Sequence, residues 1–327
     1  MGLSFGPSSS ALVAACEELI SNRAARNRDE PLELCVVHVD TALSPQAAPE
    51  PSPASRLLDR WRERYPRFRF EAVPLTSVLG LRTVDWTTLP PLKPDGEPVG
   101  KLRALLEDLP STTSRADVLR LFVRHILVSL TMQKSQDALL LGCSTTALAE
   151  LTLGETAKGR GFSLPWQIND GQVPVVYYSA GQGVPGESSS DVQPTGIPLY
   201  YPLRDVFRKE LVMYGAMAEP PLADLIAEDV DKGNPVVSHK DLSIEEVVAR
   251  YFEHVEENYP SVVASVVRTT ARLDRLEEGA RCGVCGMALD EKGEERWRGE
   301  IGGDRGGTQR RPPAGKLCYG CERSIHG

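Results

Sequence analysis

Apolar positions alternate between helical and extended spacing along most of the chain. Leu12, Val13, Cys16, Leu19 and Ile20 recur at helical intervals and predict a helix over Ser8–Ala24. The run Glu33–Asp40, ELCVVHVD, is short, β-branched and nearly continuous in apolar character, as a buried strand requires. A basic amphipathic stretch, RLLDRWRERYP, predicts the next helix, and Arg69–Leu75 the next strand. DVLRLFVRHILVSL is the strongest helical run, with Ser114 and Asp117 spaced as a capping box at its start. Ala138–Leu141 reads as a short strand stopped by Gly142, and Pro174–Tyr178 as another. Between them CSTTALAELTLGETAKGRG opens on hydroxyls and closes on Gly159, the punctuation of a helix. Further helices are expected at Leu203–Ala218, Ser243–Glu257 and Ser261–Glu277. Pro/Ala/Ser- and Gly/Ser-rich stretches near 41–55 and 180–196 predict flexible insertions, and Thr83–Asp95 a proline-rich loop. Strand and helix alternate through the first two thirds, which predicts an open α/β parallel sheet with helices on both faces.

Composition adds exclusions. The chain has 327 residues, enough for a sizeable core, and carries a net charge of −8. An RNA role must therefore rest on local basic surface or on a partner. No segment approaches the ~18 unbroken apolar residues of a membrane span. The start, MGLSFGPSSS, lacks the basic and apolar regions of a secretory signal, so the cytosol is the expected compartment.

Four of the seven cysteines form two pairs, Cys282-x-x-Cys285 and Cys318-x-x-Cys321, with 32 residues between them. Two such hairpins can offer four thiolates to one tetrahedral ion, and zinc is the expected cofactor. Two redox dithiols, or four buried thiols, are the other readings. His326 stands close enough to contend as a ligand, although four thiolates already fill a tetrahedron. His38 and His125 fall within a strand and a helix, where structural roles are expected.

Ser4-Phe5-Gly6-Pro7-Ser8-Ser9-Ser10 lies directly before the first helix. Small residues there suit backbone approach to an anion, and a capped helix start after a turn is the plainer account of the same residues. The segment SFGPSSSALV resembles a degenerate SGGxDS loop of the PP-loop pyrophosphatase superfamily, whose fold is Rossmann-like and adenine nucleotide alpha hydrolase-like. GCSTTALAELTLGETAKGRGFSLPW is similar to the superfamily's second block, and YPLRDVFRKELVMYGAMA to an R-P-L…K-E…Y segment of its thiolating members. With the terminal cysteine pairs, this ordered set resembles the cytoplasmic tRNA 2-thiolation protein 2 family across nearly the whole chain.

The resemblance implies a PP-loop α/β domain over 1–235, a helical segment over 236–281 and a four-cysteine zinc module over 282–327. It implies a partner subunit, in a heterodimer with a catalytic tRNA thiolase subunit, acting in 2-thiolation of the wobble uridine of tRNAs for Lys, Glu and Gln. The product is 5-methoxycarbonylmethyl-2-thiouridine, sulfur comes from a ubiquitin-related carrier, and the setting is linked to protein urmylation. The nucleotide-binding positions carried over are Ser4, Gly6, Ser8, Ser9 and Ser10.

Three departures count against ATP as a cofactor and leave no catalytic residue to assign. Phe5 stands in place of glycine and Ser9 in place of an acid. Cys143, Thr145, Thr146 and Ala147 replace a histidine and paired aspartates. Ser111–Ser114 occupy the place of a catalytic cysteine. Only Met1–Leu3 remain for the first strand, which predicts a truncated start or an unpaired sheet edge. Cys143 could still be a sulfur carrier in an enzyme active by itself, or a small buried hydrophobe. A zinc-stabilised interaction protein without RNA contact is a further alternative.

Arg56, Arg60, Arg62, Arg64, Arg67 and Arg69 are interleaved with Trp61, Tyr65, Phe68 and Phe70. This is either an RNA-stacking surface or a solvated helix whose aromatics are core. Arg62, Arg64 and Arg67, with Lys158 and Arg160 beside the cleft, are the candidate tRNA contacts. The segment Asp290–Arg311 between the cysteine pairs balances six acidic against six basic residues and is no basic arm.

Overall fold

The computed structural model describes residues 1–26, 32–43, 52–92, 96–178, 195–227, 242–275, 280–289 and 317–327. Most of the two expected insertions, and the whole of 290–311, lie outside the described residues.

The strands are β1 (Cys35–Asp40), β2 (Arg69–Pro74), β3 (Leu139–Leu140), β4 (Gly171–Val175) and β5 (Thr195–Tyr200). The first five helices are α1 (Pro7–Ala25), α2 (Pro53–Arg64), α3 (Pro98–Glu107), α4 (Thr112–Gln133) and α5 (Thr145–Ala157). They are followed by α6 (Leu164–Ile168), α7 (Arg208–Met217), α8 (Ile244–Asn258), α9 (Pro260–Thr270) and α10 (Tyr319–His326).

The sheet is assembled around the amino terminus. β1 and β2 pair in parallel, Cys35 opposite Arg69 through Asp40 opposite Pro74. β3 pairs in parallel with β5. Met1–Leu3 closes the gap between these halves: Gly2 bridges both Val37 and Leu141 in parallel. Leu3 N donates to Val37 O at 2.9 Å, and Gly2 N to Leu140 O at 3.0 Å. The three residues therefore act as a strand, and the edges of β1 and β3 facing them are paired, against the expectation of an open edge. β4 is the second correction. It runs antiparallel to β5, so the sheet is mixed rather than wholly parallel.

Strand alternation divides the core into two faces. Val36 and Phe70 point to the side covered by Leu12 and Val13 of α1 and by Leu58 and Trp61 of α2. Val37, Val39 and Val73 point to the side covered by α3 and α4, in the larger cluster. Within α4, Val118, Leu121, Phe122 and Ile126 are at most 2% exposed. Burial on that scale is worth about 1.5–3 kcal/mol for each such side chain. Phe252, Val255, Val263 and Val267 carry α8 and α9 into the same cluster.

Helix starts follow their caps. Ser52, Ser144 and Ser243 accept from the backbone N–H three residues on, opening α2, α5 and α8. The start of α4 lies earlier than expected. Ser111 is its cap, accepting from Ser114 N at 3.0 Å, which frees Asp117 from any capping role.

Candidate functional site

The four paired thiols come together. Cys282, Cys285, Cys318 and Cys321 are buried, and their sulfurs lie within 4.8 Å of one another. The first pair sits on a tight hairpin over 280–289. Cys282 N donates to Met287 O at 2.9 Å, Gly286 N donates to Cys282 O at 2.9 Å, and Gly286 takes the left-handed conformation at φ 71°. The second pair opens α10, where Cys318 is the N-cap and its sulfur accepts from Cys321 N. Cys285 Sγ and Cys318 Sγ are 3.9 Å apart. That is far beyond a disulfide, and it matches the ~3.8 Å edge of a tetrahedron with metal–sulfur bonds of about 2.3 Å. A 4Fe-4S cluster would bind each thiolate to a different iron and require wider spacing. The donor set therefore fits a single tetrahedral ion. His326 is exposed and takes no part. Burial would raise the Cys282 thiol, but hydrogen bonds from the other three thiols outweigh it and hold it well below its ordinary value.

The centre is anchored in the core rather than appended to it. His125 on α4 spans Thr83 Oγ1 at 3.1 Å and Val284 O at 2.7 Å, tying the hairpin to the α/β body. Burial pulls this imidazole down to about 4. Asp85 N donates to Gly283 O at 2.7 Å. On the other side lies a buried ionic cluster that sequence patterning did not reveal. Asp117 of α4 and Glu155 of α5 are fully enclosed and meet Arg120, Lys158 and Arg160. Lys158 also pairs with Glu245 of α8, and Ser324 of α10 donates to Asp117 Oδ2 at 2.8 Å. Burial alone would raise the Asp117 carboxyl; Arg160, Lys158 and Arg120 overcome it and hold it at about 2.

The segment Ser4–Ser10 lies at the carboxyl ends of Met1–Leu3 and β3, where strand order reverses and open α/β sheets take ligands. Two of its hydroxyls, Ser4 and Ser9, are engaged within the loop itself. The Ser9 hydroxyl accepts from Ser4 N at 3.2 Å and donates to Gly6 O at 3.1 Å. Ser4 Oγ accepts from Gly6 N at 3.4 Å. Ser8 is half-buried, and the Ser10 hydroxyl is buried with no hydrogen-bond partner among the described residues. Phe5, at φ 60°, points inward and stacks on His38 with centroids 4.1 Å apart. His38 Nδ1 in turn meets Leu3 O at 2.9 Å, the structural role expected of it. A Cβ on Gly142 would stand 2.7 Å from Ser9 Cα, so the two loops touch backbone to backbone.

The second block is likewise structural in its bonding. Thr145 Oγ1 donates to Arg204 O at 2.7 Å, and Thr146 Oγ1 to Glu256 Oε2 at 2.7 Å. Glu256 Oε1 accepts from Lys209 N at 2.8 Å and so caps α7. Cys143 packs against the main core, where burial pushes its thiol up to about 11. A thiol so protonated at neutral pH is a poor nucleophile. Ser111 and Ser114 join hydroxyls at 2.9 Å in the α4 cap.

The candidate RNA contacts separate into two groups. Lys158 and Arg160 do not face a cleft. Arg160 is 0% exposed and Lys158 8%, both spent on carboxylates, which removes them from any phosphate-contacting surface. Trp61, Tyr65, Phe68 and Phe70 are buried in the α1–α2 core, so no stacking platform exists there. Arg62 and Arg67 keep about half of their side chains in solvent while pairing with Asp59 and Glu17 at 2.7 and 3.2 Å. Arg64 donates to the carbonyls of Pro220 and Pro221.

Residues 243–323 match the family model for cytoplasmic tRNA 2-thiolation protein 2. A cytoplasmic tRNA 2-thiolation protein 2 from Phaeosphaeria nodorum is 39% identical over 284 residues, covering 82% of this chain and 68% of that protein. The protein of the same name from Pyrenophora tritici-repentis is 38% identical over 285 residues, covering 83% and 68%. Among solved structures, the U34-tRNA thiolase NcsA from Methanococcus maripaludis, with its 4Fe-4S cluster, superposes with a TM-score of 0.52 at 16% identity. That likeness, over 92% of this chain and 80% of the other, is one of fold.

Proposed function

Since the chain belongs to the cytoplasmic tRNA 2-thiolation protein 2 family, we propose that it is the non-catalytic subunit of a cytoplasmic complex that 2-thiolates the wobble uridine of tRNAs for Lys, Glu and Gln. Its partner is a catalytic thiolase subunit that binds ATP and carries the reacting sulfur, supplied by a ubiquitin-related carrier. This chain stabilises the partner and extends the tRNA-binding surface, with Arg62, Arg64 and Arg67 as its phosphate contacts. The four-cysteine centre holds zinc, with Cys282, Cys285, Cys318 and Cys321 as ligands; the ion carries no reaction and fixes the hairpin and α10 against the α/β body. The unit 1–235 serves as the altered PP-loop domain, with 236–281 and 282–327 as its helical and metal-binding extensions.

One observation carries this reading. The hydroxyls that replace the acidic groups of a nucleotide site, Ser9, Thr145 and Thr146, are all bonded within the fold. Groups already satisfied in this way offer neither metal ligands nor a base.

Co-expression with the catalytic thiolase subunit tests it. Wobble-uridine thiolation should require both chains and survive Cys143→Ala in this one. Thiolation by this chain alone would overturn the reading in favour of an independent sulfurtransferase. A pair that is active but retains tRNA independently of salt would remove the arginines from the account.

A further inference from the structure

The buried ionic cluster makes one bond that the balance among its own charges does not require. Arg160 directs Nε to Glu155 Oε2 at 2.8 Å, and Nη2 to Asp117 and to Glu155 Oε1. Its Nη1 turns the other way, to Cys321 Sγ at 3.6 Å. Both partners are wholly buried, so no water competes for this contact. Two glycines make room for it. A Cβ on Gly320 would lie 2.5 Å from Arg160 Cγ, and one on Gly159 would lie 2.5 Å from Tyr319 Cδ1. Gly159 also adopts φ 79°, open chiefly to glycine. The segment 158–160 and the first turn of α10 are therefore shaped against each other at the point where a thiol meets a guanidinium.

A divalent ion held by four thiolates leaves a net double negative charge inside the protein. Buried charge of that kind needs a fixed donor close to sulfur. Arg160 supplies one that cannot be deprotonated, and the two carboxylates hold its guanidinium in place. We propose that Arg160 is the outer-sphere charge partner of the metal centre, a positioning residue that sets how tightly the ion is retained through its Nη1–H···Sγ bond to Cys321. Asp117 and Glu155 act through it by fixing its orientation. Ser324, although on α10, gives its hydroxyl to Asp117 rather than to a thiol, and so plays a tethering part.

The inference rests on the reading that the four cysteines hold a metal, and the test separates the two. The full-length chain is loaded with cobalt(II), whose thiolate charge-transfer band reports on the sulfurs directly. Loss of the band is then followed in excess chelator. Arg160→Met should shift the band and release cobalt about 10–100-fold faster. Ser324→Ala should leave the band in place and release at close to the wild-type rate. Arg160→Lys keeps the charge but shortens and re-aims the donor, and should fall between wild type and Arg160→Met. If Arg160→Met does not fold, the lysine variant decides: a shifted band with faster release supports the proposal, and an unmoved band overturns it. Equal acceleration in Ser324→Ala and Arg160→Met, with neither band shifted, would also overturn it, since tethering alone would then explain retention. A wild-type chain that takes up no cobalt would instead strike at the metal reading itself.

Discussion

At the switch point of the sheet, the hydroxyls of Ser4, Ser9, Ser144, Thr145 and Thr146 are hydrogen-bonded within the chain, Ser10 Oγ is buried without a partner among the described residues, and Cys143 is held protonated by burial. At the carboxyl terminus, four thiols converge on a common point, backed by fully buried charges that reach α4, α5 and α8. The first region sits where open α/β sheets take ligands, yet commits most of its hydroxyls to structure. The second concentrates ionisable groups where they can hold an ion. Polar groups bonded within a fold stabilise it, whereas convergent groups left for an external species carry chemistry or architecture that depends on that species. By this measure the groups placed to hold an external species lie at the cysteines rather than at the switch point.

Breaking the contrast from its stronger side should give the largest effect. Stripping the metal with a chelator, or Cys318→Ser, should unfold the 280–289 hairpin and α10 and cost several kcal/mol, since metal binding at such sites is coupled to folding. Thermal unfolding followed by circular dichroism checks this, and an unchanged midpoint after verified metal removal would contradict it. Asp117→Asn comes next. It leaves Arg160 and Lys158 with one buried carboxylate fewer and should destabilise the chain by about 3–5 kcal/mol in urea unfolding.

A smaller effect is set by pH. His125 is held neutral at about 4 in the folded state against an ordinary 6.5. The unfolded chain therefore binds the extra proton first, and stability that is complete above pH 6.5 declines as pH falls toward 4. The loss from this group reaches about 3 kcal/mol. Comparing the pH slopes of wild type and His125→Gln isolates it from the thiolates, because only the wild type should carry this component. The smallest change belongs to the cleft. Cys143→Ala should cost about 1 kcal/mol or less and leave thiolation by the reconstituted pair unaltered.

Much of this contrast could be read from the chain. Helical periodicity located α1, and hydroxyl caps located α5 and α8, to within a residue or two, because these signals are local. The cysteine pairs announced themselves by spacing. Trp61, Tyr65, Phe68 and Phe70 read equally as core or as RNA surface in the sequence, and only the packing of α1 and α2 against the sheet decides for core. Other features had no local signature. β5 contains Gly196 and Pro198, which weigh against a strand, yet it lies between β3 and β4 and takes its identity from those neighbours. α3 begins PVG and was hidden by its proline and glycine. The ionic cluster joins Asp117 to Lys158 and Arg160 across more than 40 positions. Single charged residues are read as surface by default, which is why Lys158 and Arg160 looked like phosphate contacts. The spacing of Ser114 and Asp117 mimicked a capping box, and the real cap three residues earlier released the aspartate for the core.

The most direct test of the central claim is a calorimetric titration of the metal-loaded chain with ATP and magnesium. A cleft whose Ser4, Ser9, Thr145 and Thr146 hydroxyls are bonded within the fold should give no saturable heat at millimolar nucleotide. Binding in the micromolar range, lost in Ser4→Ala and Ser9→Ala variants, would contradict the account and make the altered loop a working ATP site.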